Sequence, residues 1–143
     1  MVRKATEYDA EQLGFLNDEF NGKGETTVER IKESLLNNQQ EIVIVDDESG
    51  VLTGFVCVQL KKSFCYDEYM PEITEVYVLP KYRKQGIASK MITFAEDYCS
   101  KNYPLHRYEL LTSEKNLTAQ SVYGKLGYTN DKELHLSKRI KYN

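Results

Sequence analysis

Apolar residues recur along this chain in two rhythms, and the points where one gives way to the other mark its elements. Val2 to Thr6 reads as a short first strand, and Leu13, Leu16 and Phe20 then share one face of a helix over Asp9 to Phe20. Asn21-Gly22-Lys23-Gly24 breaks it, because two glycines this close favour a turn. Thr26 or Thr27 caps a second helix carrying Val28, Ile31, Leu35 and Leu36. Glu41 to Val45 and Leu52 to Leu60 are strand-like, joined by the hairpin loop Asp46-Asp47-Glu48-Ser49-Gly50. Lys61 to Met70 extends or interrupts the second of these. Pro71 then sets off a central strand with Ile73, Val76, Tyr77, Val78 and Leu79, and Pro80, which cannot donate to a ladder, ends it. Ile87, Ala88, Met91, Ile92, Ala95 and Cys99 recur at helical spacing up to Asn102-Tyr103-Pro104. Tyr108 to Thr112 is a further strand, and Ala119, Val122, Tyr123 and Leu126 lie on one helical face that Gly127 stops. Leu134 to Ile140 alternates, and with Tyr128 and Thr129 predicts a final hairpin.

Composition narrows the class. The 143 residues fit one domain over 1–143, and 41% hydrophobic with 29% charged residues are ordinary globular values. A net charge of −3 argues against a general nucleic-acid binder, whose footprint is a basic face. The basic residues that do cluster, from Lys81 to Lys90, suit a polyanionic cofactor better than a duplex. Cys57, Cys65 and Cys99 are odd in number, lack zinc-site spacing, and two of them fall in apolar patterns, so they read as reduced core residues. His106 and His135 read as surface or capping residues, and no metal site is expected. The start leads into Glu7 and Asp9 instead of an apolar leader, and no apolar run reaches membrane length, so a cytoplasmic protein without membrane contact is expected.

The chemistry concentrates between Glu72 and Glu96, where a strand, a charged turn and an amphipathic helix follow one another. A helix start has unpartnered backbone N–H groups and partial positive charge, so it binds phosphate. Gly86 and Ala88 keep side chains out of the way, while Arg83 and Lys84 add charge. The run Arg83-x-x-Gly86-x-Ala88 after the strand Val76 to Leu79 resembles the coenzyme A motif of the GNAT acyltransferases, the Gcn5-related N-acetyltransferases. A second stretch, Asn116-x-x-Ala119-x-x-x-Tyr123-x-Lys125-x-Gly127-Tyr128, resembles the distal helix motif of the same family. The element order β-α-α-β-β-β-α-β-α-β-β is that family's arrangement, so the resemblance implies an α/β (α+β) fold: a GNAT-like domain with a mixed, mostly antiparallel central sheet flanked by helices.

The resemblance also implies a cofactor, acetyl-CoA, and roles for particular residues. Backbone groups of Val76, Tyr77 and Val78 are candidates for the pantetheine, and Arg83, Lys84, Gln85, Gly86, Ile87, Ala88 and Ser89 for the pyrophosphate. Asn116 is a candidate for the pantetheine arm, and Tyr123 for protonating the departing thiolate. An N–H near Val78 can polarise the thioester carbonyl. The amine must lose a proton first, since at neutral pH only about one lysine-like amine in a few thousand is neutral. Glu75 is the favoured base and Glu72 the next, with strand alternation expected to put them on opposite faces. The acidic run Asp67, Glu68, Glu72 and Glu75 points to a small cationic amine, polyamine-like or aminoglycoside-like, as acceptor. A protein lysine or N-terminal amine is the alternative acceptor, and a non-catalytic acyl-CoA-binding module the alternative function. Dimers are common in the family, which makes a homodimer one expectation; the sequence leaves that open.

Overall fold

A computed structural model describes residues 1–141, which fall into two compact units, Met1–Leu111 and the segment from Thr112 onward. The first unit is built on a five-stranded sheet in the order β1-β2-β3-β4-β5, with β1 Val2–Lys4, β2 Glu41–Glu48, β3 Val51–Gln59, β4 Glu72–Val78 and β5 Glu109–Leu110. The first four strands pair antiparallel, and β5 joins β4 in parallel. Its helices are α1 Ala10–Asn21, α2 Val28–Asn37 and α3 Ile87–Asn102. Of the two threonines, Thr27 is the cap of α2, its side-chain oxygen accepting from the Arg30 N–H. The hairpin between β2 and β3 is tighter than the expected five-residue loop. Its strands run on to Glu48 and resume at Val51, because Ser49 and Gly50 both take left-handed geometry, the two-residue solution that matches strand twist.

Alternation divides the core between the two faces of the sheet. Leu13 and Leu16 of α1 pack with Val45, Leu52, Phe55 and Tyr77, and Ile31 and Leu35 of α2 close over the same face beside Val43 and Cys57. On the other side α3 packs against β2, β3 and β4, burying Met91, Ile92, Ala95 and Cys99. Ile42, Ile44, Val56 and Val58, which alternate with the first set, are buried there. Each such side chain contributes roughly 1.5–3 kcal/mol by leaving water. Gly54 lets β3 approach β4: a Cβ there would collide with the Tyr77 carbonyl oxygen and meet Met91 Cε at 3.2 Å. The expectation that the cysteines are core residues fails at Cys65, which the fold leaves exposed.

The second unit holds α4, Leu117–Lys125, followed by Gly127 at φ +97°, the left-handed stop that its sequence predicts. Here one expectation fails. Among the described residues no strand follows α4, so the final hairpin of Tyr128, Thr129 and Leu134 to Ile140 is not formed. Alternation makes a strand only where one face can be buried. Leu134, Leu136 and Ile140 are 86%, 85% and 84% exposed, and no strand among the described residues covers them.

Candidate functional site

The charged turn expected to hold phosphate follows the exit from β4. Leu79 donates its N–H to Thr53 of β3 at 2.8 Å, so by alternation the N–H and C=O of Val78 and Val76 turn away from β3, toward β5. There β5 pairs only with Glu72 and Ile73. Beyond them, among the described residues, the Val78 carbonyl accepts from Arg83 Nε at 2.8 Å. Tyr77 does not share this edge. Its backbone lies in register with Phe55 of β3, and its ring is core, with its centroid 5.0 Å from that of Phe20 and 6.1 Å from that of Phe55.

After a 3₁₀ turn at Pro80–Tyr82, the chain passes through two left-handed residues, Lys84 (φ +64°) and Gly86 (φ +77°), before α3 begins. Arg83, Lys84, Gln85 and Gly86 are exposed, Ala88 and Ser89 half-buried, and Ile87 turns into the core. The Arg83 guanidinium also lies over the Tyr77 ring at 5.6 Å. Gln85 reaches back to the Lys81 carbonyl. Gly86 is required by its φ, and among the described residues nothing stands within 4 Å of where its Cβ would be.

On the α1/α2 face of the sheet a second cluster forms, and it corrects the expected placement of the two glutamates. The β3–β4 register shifts between Cys57 and Val58, with Ile73 opposite Val58 and Glu75 opposite Cys57, so Thr74 is a bulge. An extra residue reverses the alternation, and Glu72 and Glu75 end on the same face. Their surroundings still separate them. Glu72 accepts from Lys61 Nζ at 3.0 Å, and that ammonium also holds Glu109 at 2.7 Å. Glu75 is half-buried, and loss of water raises its carboxyl pKa. Glu41, which opens β2 on the same face, is raised first by burial and then by the charge of Glu75. Burial, with Glu41 and Glu75, pushes the Cys57 thiol well up, so it is a poor nucleophile. A cavity of about 290 Å³ opens here, walled by Leu13, Ile31, Leu35 and Phe55, with Asn17, Arg30, Glu41 and Cys57 as polar members. A larger groove of about 1170 Å³ shares Glu41, Ser34, Leu35 and Val43 with it.

Sequence reasoning missed Glu41, although a signal existed: an acidic residue in phase with the inward Val43 and Val45. Asp67, by contrast, is exposed and Glu68 half-buried, and they line neither cavity. In the second unit Asn116 is the N-cap of α4, its Oδ1 accepting from the Ala119 N–H at 3.1 Å. Tyr123 is half-buried, its ring edge-on to Tyr128 with 6.4 Å between centroids, and desolvation raises its phenol pKa.

Comparison with known proteins agrees with this architecture. The model of the acetyltransferase (GNAT) family matches residues 8–128. An uncharacterized N-acetyltransferase of Bacillus subtilis (strain 168), YhfO, is 25% identical over 96 residues, 67% of this chain, and the match spans 64% of that relative's length. An aminoglycoside acetyltransferase from an uncultured soil metagenomic sample, solved with trehalose, superposes with a TM-score of 0.87 at 16% identity, covering 99% of this chain and 96% of that one. The aminoglycoside N-acetyltransferase AAC(6')-Iy, solved with a bisubstrate analogue, gives 0.84 at 17% identity over 97% of each chain. Likeness at such low identity speaks for the fold, and the family match covers most of the sequence. The chain belongs to the GNAT family of acetyltransferases.

Proposed function

We propose that this protein is an acetyl-CoA-dependent N-acetyltransferase that transfers the acetyl group directly to a primary amine of a small cationic molecule, polyamine-like or aminoglycoside-like. The observation that carries the reading is the β4 edge: outward backbone groups at Val76 and Val78 lead straight into an exposed, left-handed turn at a helix start. The edge groups fit an amide-bearing arm, and the α3 N-terminus with Arg83 and Lys84 fits a pyrophosphate. Acetyl-CoA, when bound, supplies an acetyl group activated as a thioester. The Val78 N–H donates to the carbonyl oxygen as negative charge develops there. Glu75, whose raised pKa brings it closer to that of an amine, takes the acceptor's proton. Tyr123, kept protonated by its burial, returns a proton to the departing sulfur. Glu41 beside the cavity, together with the aminoglycoside names of the structural relatives, supports a cationic acceptor.

Two measurements test this. Calorimetry with acetyl-CoA should show binding to the wild type and weaker binding to Gly86→Val, whose branched side chain is strained at φ +77° and fills the ligand's space; equal affinities would remove the turn from the site. Release of free thiol should then be followed across polyamines, aminoglycosides and peptides. Tight acetyl-CoA binding with no turnover on any amine would make the protein a binding module.

A further inference from the structure

The larger groove, of about 1170 Å³, takes no part in the proposed acetyl transfer. It lies where β2 begins and β3 ends, and its walls come from the first unit alone. Its charge runs against that of the chain. Among the described residues that line it are Lys4, Lys61 and Lys62 and one carboxylate, Glu41 at the border with the smaller cavity, three positive charges against one negative where the whole chain carries −3. Tyr69, Tyr98 and Tyr103 add rings, with 5.0 Å between the centroids of the first and last. Lys4 Nζ lies 4.6 Å from the centroid of the Tyr98 ring and donates to its hydroxyl at 3.1 Å, and Lys62 Nζ donates to the Tyr66 carbonyl at 3.0 Å. An ammonium has three N–H bonds, so both lysines keep donors to offer. Ammonium groups beside aromatic rings suit a flat ring system that carries a carboxylate.

Lys61 connects this groove to the cofactor edge. It lines the groove while its Nζ holds Glu72 at 3.0 Å and Glu109 at 2.7 Å, the register partners of β4 and β5. Those two contacts leave one N–H, and an anion that takes it shares the charge that both carboxylates rely on. Arg107 also holds Glu109, at 3.1 Å, whereas Lys61 is the one ion-pair partner of Glu72 among the described residues. We propose that the groove binds a flat aromatic carboxylate, and that its occupancy loosens the β4–β5 pairing through Lys61 and so weakens acetyl-CoA binding. The second half rests on the acetyl-CoA reading of the β4 edge; the first stands without it. Repulsion between opposed carboxylates limits the effect, so acetyl-CoA affinity falls by up to about fivefold and then levels off. Linkage requires acetyl-CoA to weaken the aromatic anion by the same factor.

Calorimetry on the full chain tests both halves, with 2-naphthoate as the probe, 2-naphthamide as its uncharged counterpart and acetate as the carboxylate without rings. Only 2-naphthoate should bind well, and Lys4→Gln with Lys62→Gln should weaken it about tenfold while acetyl-CoA affinity holds. No binding of 2-naphthoate overturns the site, as does equal binding of the amide or of acetate, or binding that the double change leaves intact. Saturating 2-naphthoate should raise the acetyl-CoA dissociation constant to a plateau. Glu109→Gln, which removes one of the opposed charges, should keep 2-naphthoate binding and abolish that rise. A dissociation constant that climbs without limit means direct competition at the Arg83 turn and overturns the coupling. No rise at all, or a plateau that survives Glu109→Gln, overturns it too. If acetyl-CoA itself does not bind, the coupling falls with the reading of the β4 edge, while the groove is still decided by 2-naphthoate alone.

Discussion

Burial raises the pKa of Glu75 and of Tyr123, with opposite consequences for what each can do. For Glu75 a higher pKa means a stronger base that is lost earlier as pH falls, so the acid limb of kcat/KM should lie above the ordinary carboxyl range. Glu75→Gln should abolish that limb and lower kcat/KM by about 10² to 10⁴, the range for a positioned base; an unchanged pH profile would move the role elsewhere. Tyr123 instead stays protonated through neutral pH, as a donor must. Tyr123→Phe keeps the ring and its contact with Tyr128, so stability and acetyl-CoA affinity should hold while kcat falls by about 10² to 10⁴. Wild-type kcat in that variant would leave Tyr123 a packing residue. At this scale the sequence was legible where a residue's backbone need is local. Gly86 is readable because a charged turn before a helix wants φ > 0. The shared face of Glu72 and Glu75 was not, because the bulge at Thr74 is imposed by pairing with β3 and leaves no mark of its own in the order of residues.

Elements with their own buried stripe were read to within a few residues, as with α3, whose apolar spacing over Ile87 to Cys99 matches its buried face. Those that depend on a partner were misjudged. The tail alternates like a strand yet is unpaired, and β5 shrinks from the expected Tyr108 to Thr112 to two residues. That shortness matters, since the β4–β5 pairing fixes where the two strands part. Glu72 and Glu109 are register partners there, two carboxylates side by side, and Lys61 Nζ lies between them. Like charges directly opposite destabilise a pair of strands by roughly 0.2–1 kcal/mol. The bridge is partly exposed, which keeps its worth at the low end. Lys61→Met should therefore weaken acetyl-CoA binding by up to about fivefold at pH 8. Adding Glu109→Gln should restore it, as should a fall in pH that protonates one carboxylate. A loss that neither change relieves would point to the lysine stem's packing instead of its charge.

For the molecule as a whole, carboxyl groups with opposite shifts set the dependence of stability on pH. Asp9 is lowered, first by its hydrogen bonds from Arg3, at 2.8 and 2.9 Å, with burial opposing and the Thr6 N–H assisting. Asp47 is lowered by the Gly50 N–H and then by Arg3, which thus ties β1, the entry to α1 and the end of β2 together. Glu109 is lowered by Lys61. A depressed folded-state pKa gives stability that is complete above the unfolded value and lost as pH falls through the folded one, so these three groups weaken the fold below about pH 4. Glu41 and Glu75 act in the other direction. Their folded-state values lie above the ordinary glutamate pKa, so the native state takes up protons first and gains stability as pH falls toward that ordinary value. The thermal midpoint should accordingly rise modestly from pH 8 to about 5 and drop below about 4. Glu41→Gln with Glu75→Gln should remove the rise and leave the acid drop, whereas Asp9→Asn should lower the plateau and flatten the drop. If the midpoint is flat between pH 8 and 5 in the wild type, Glu41 and Glu75 are too well hydrated in solution to hold raised pKa values, and the acid limb proposed for Glu75 loses its support.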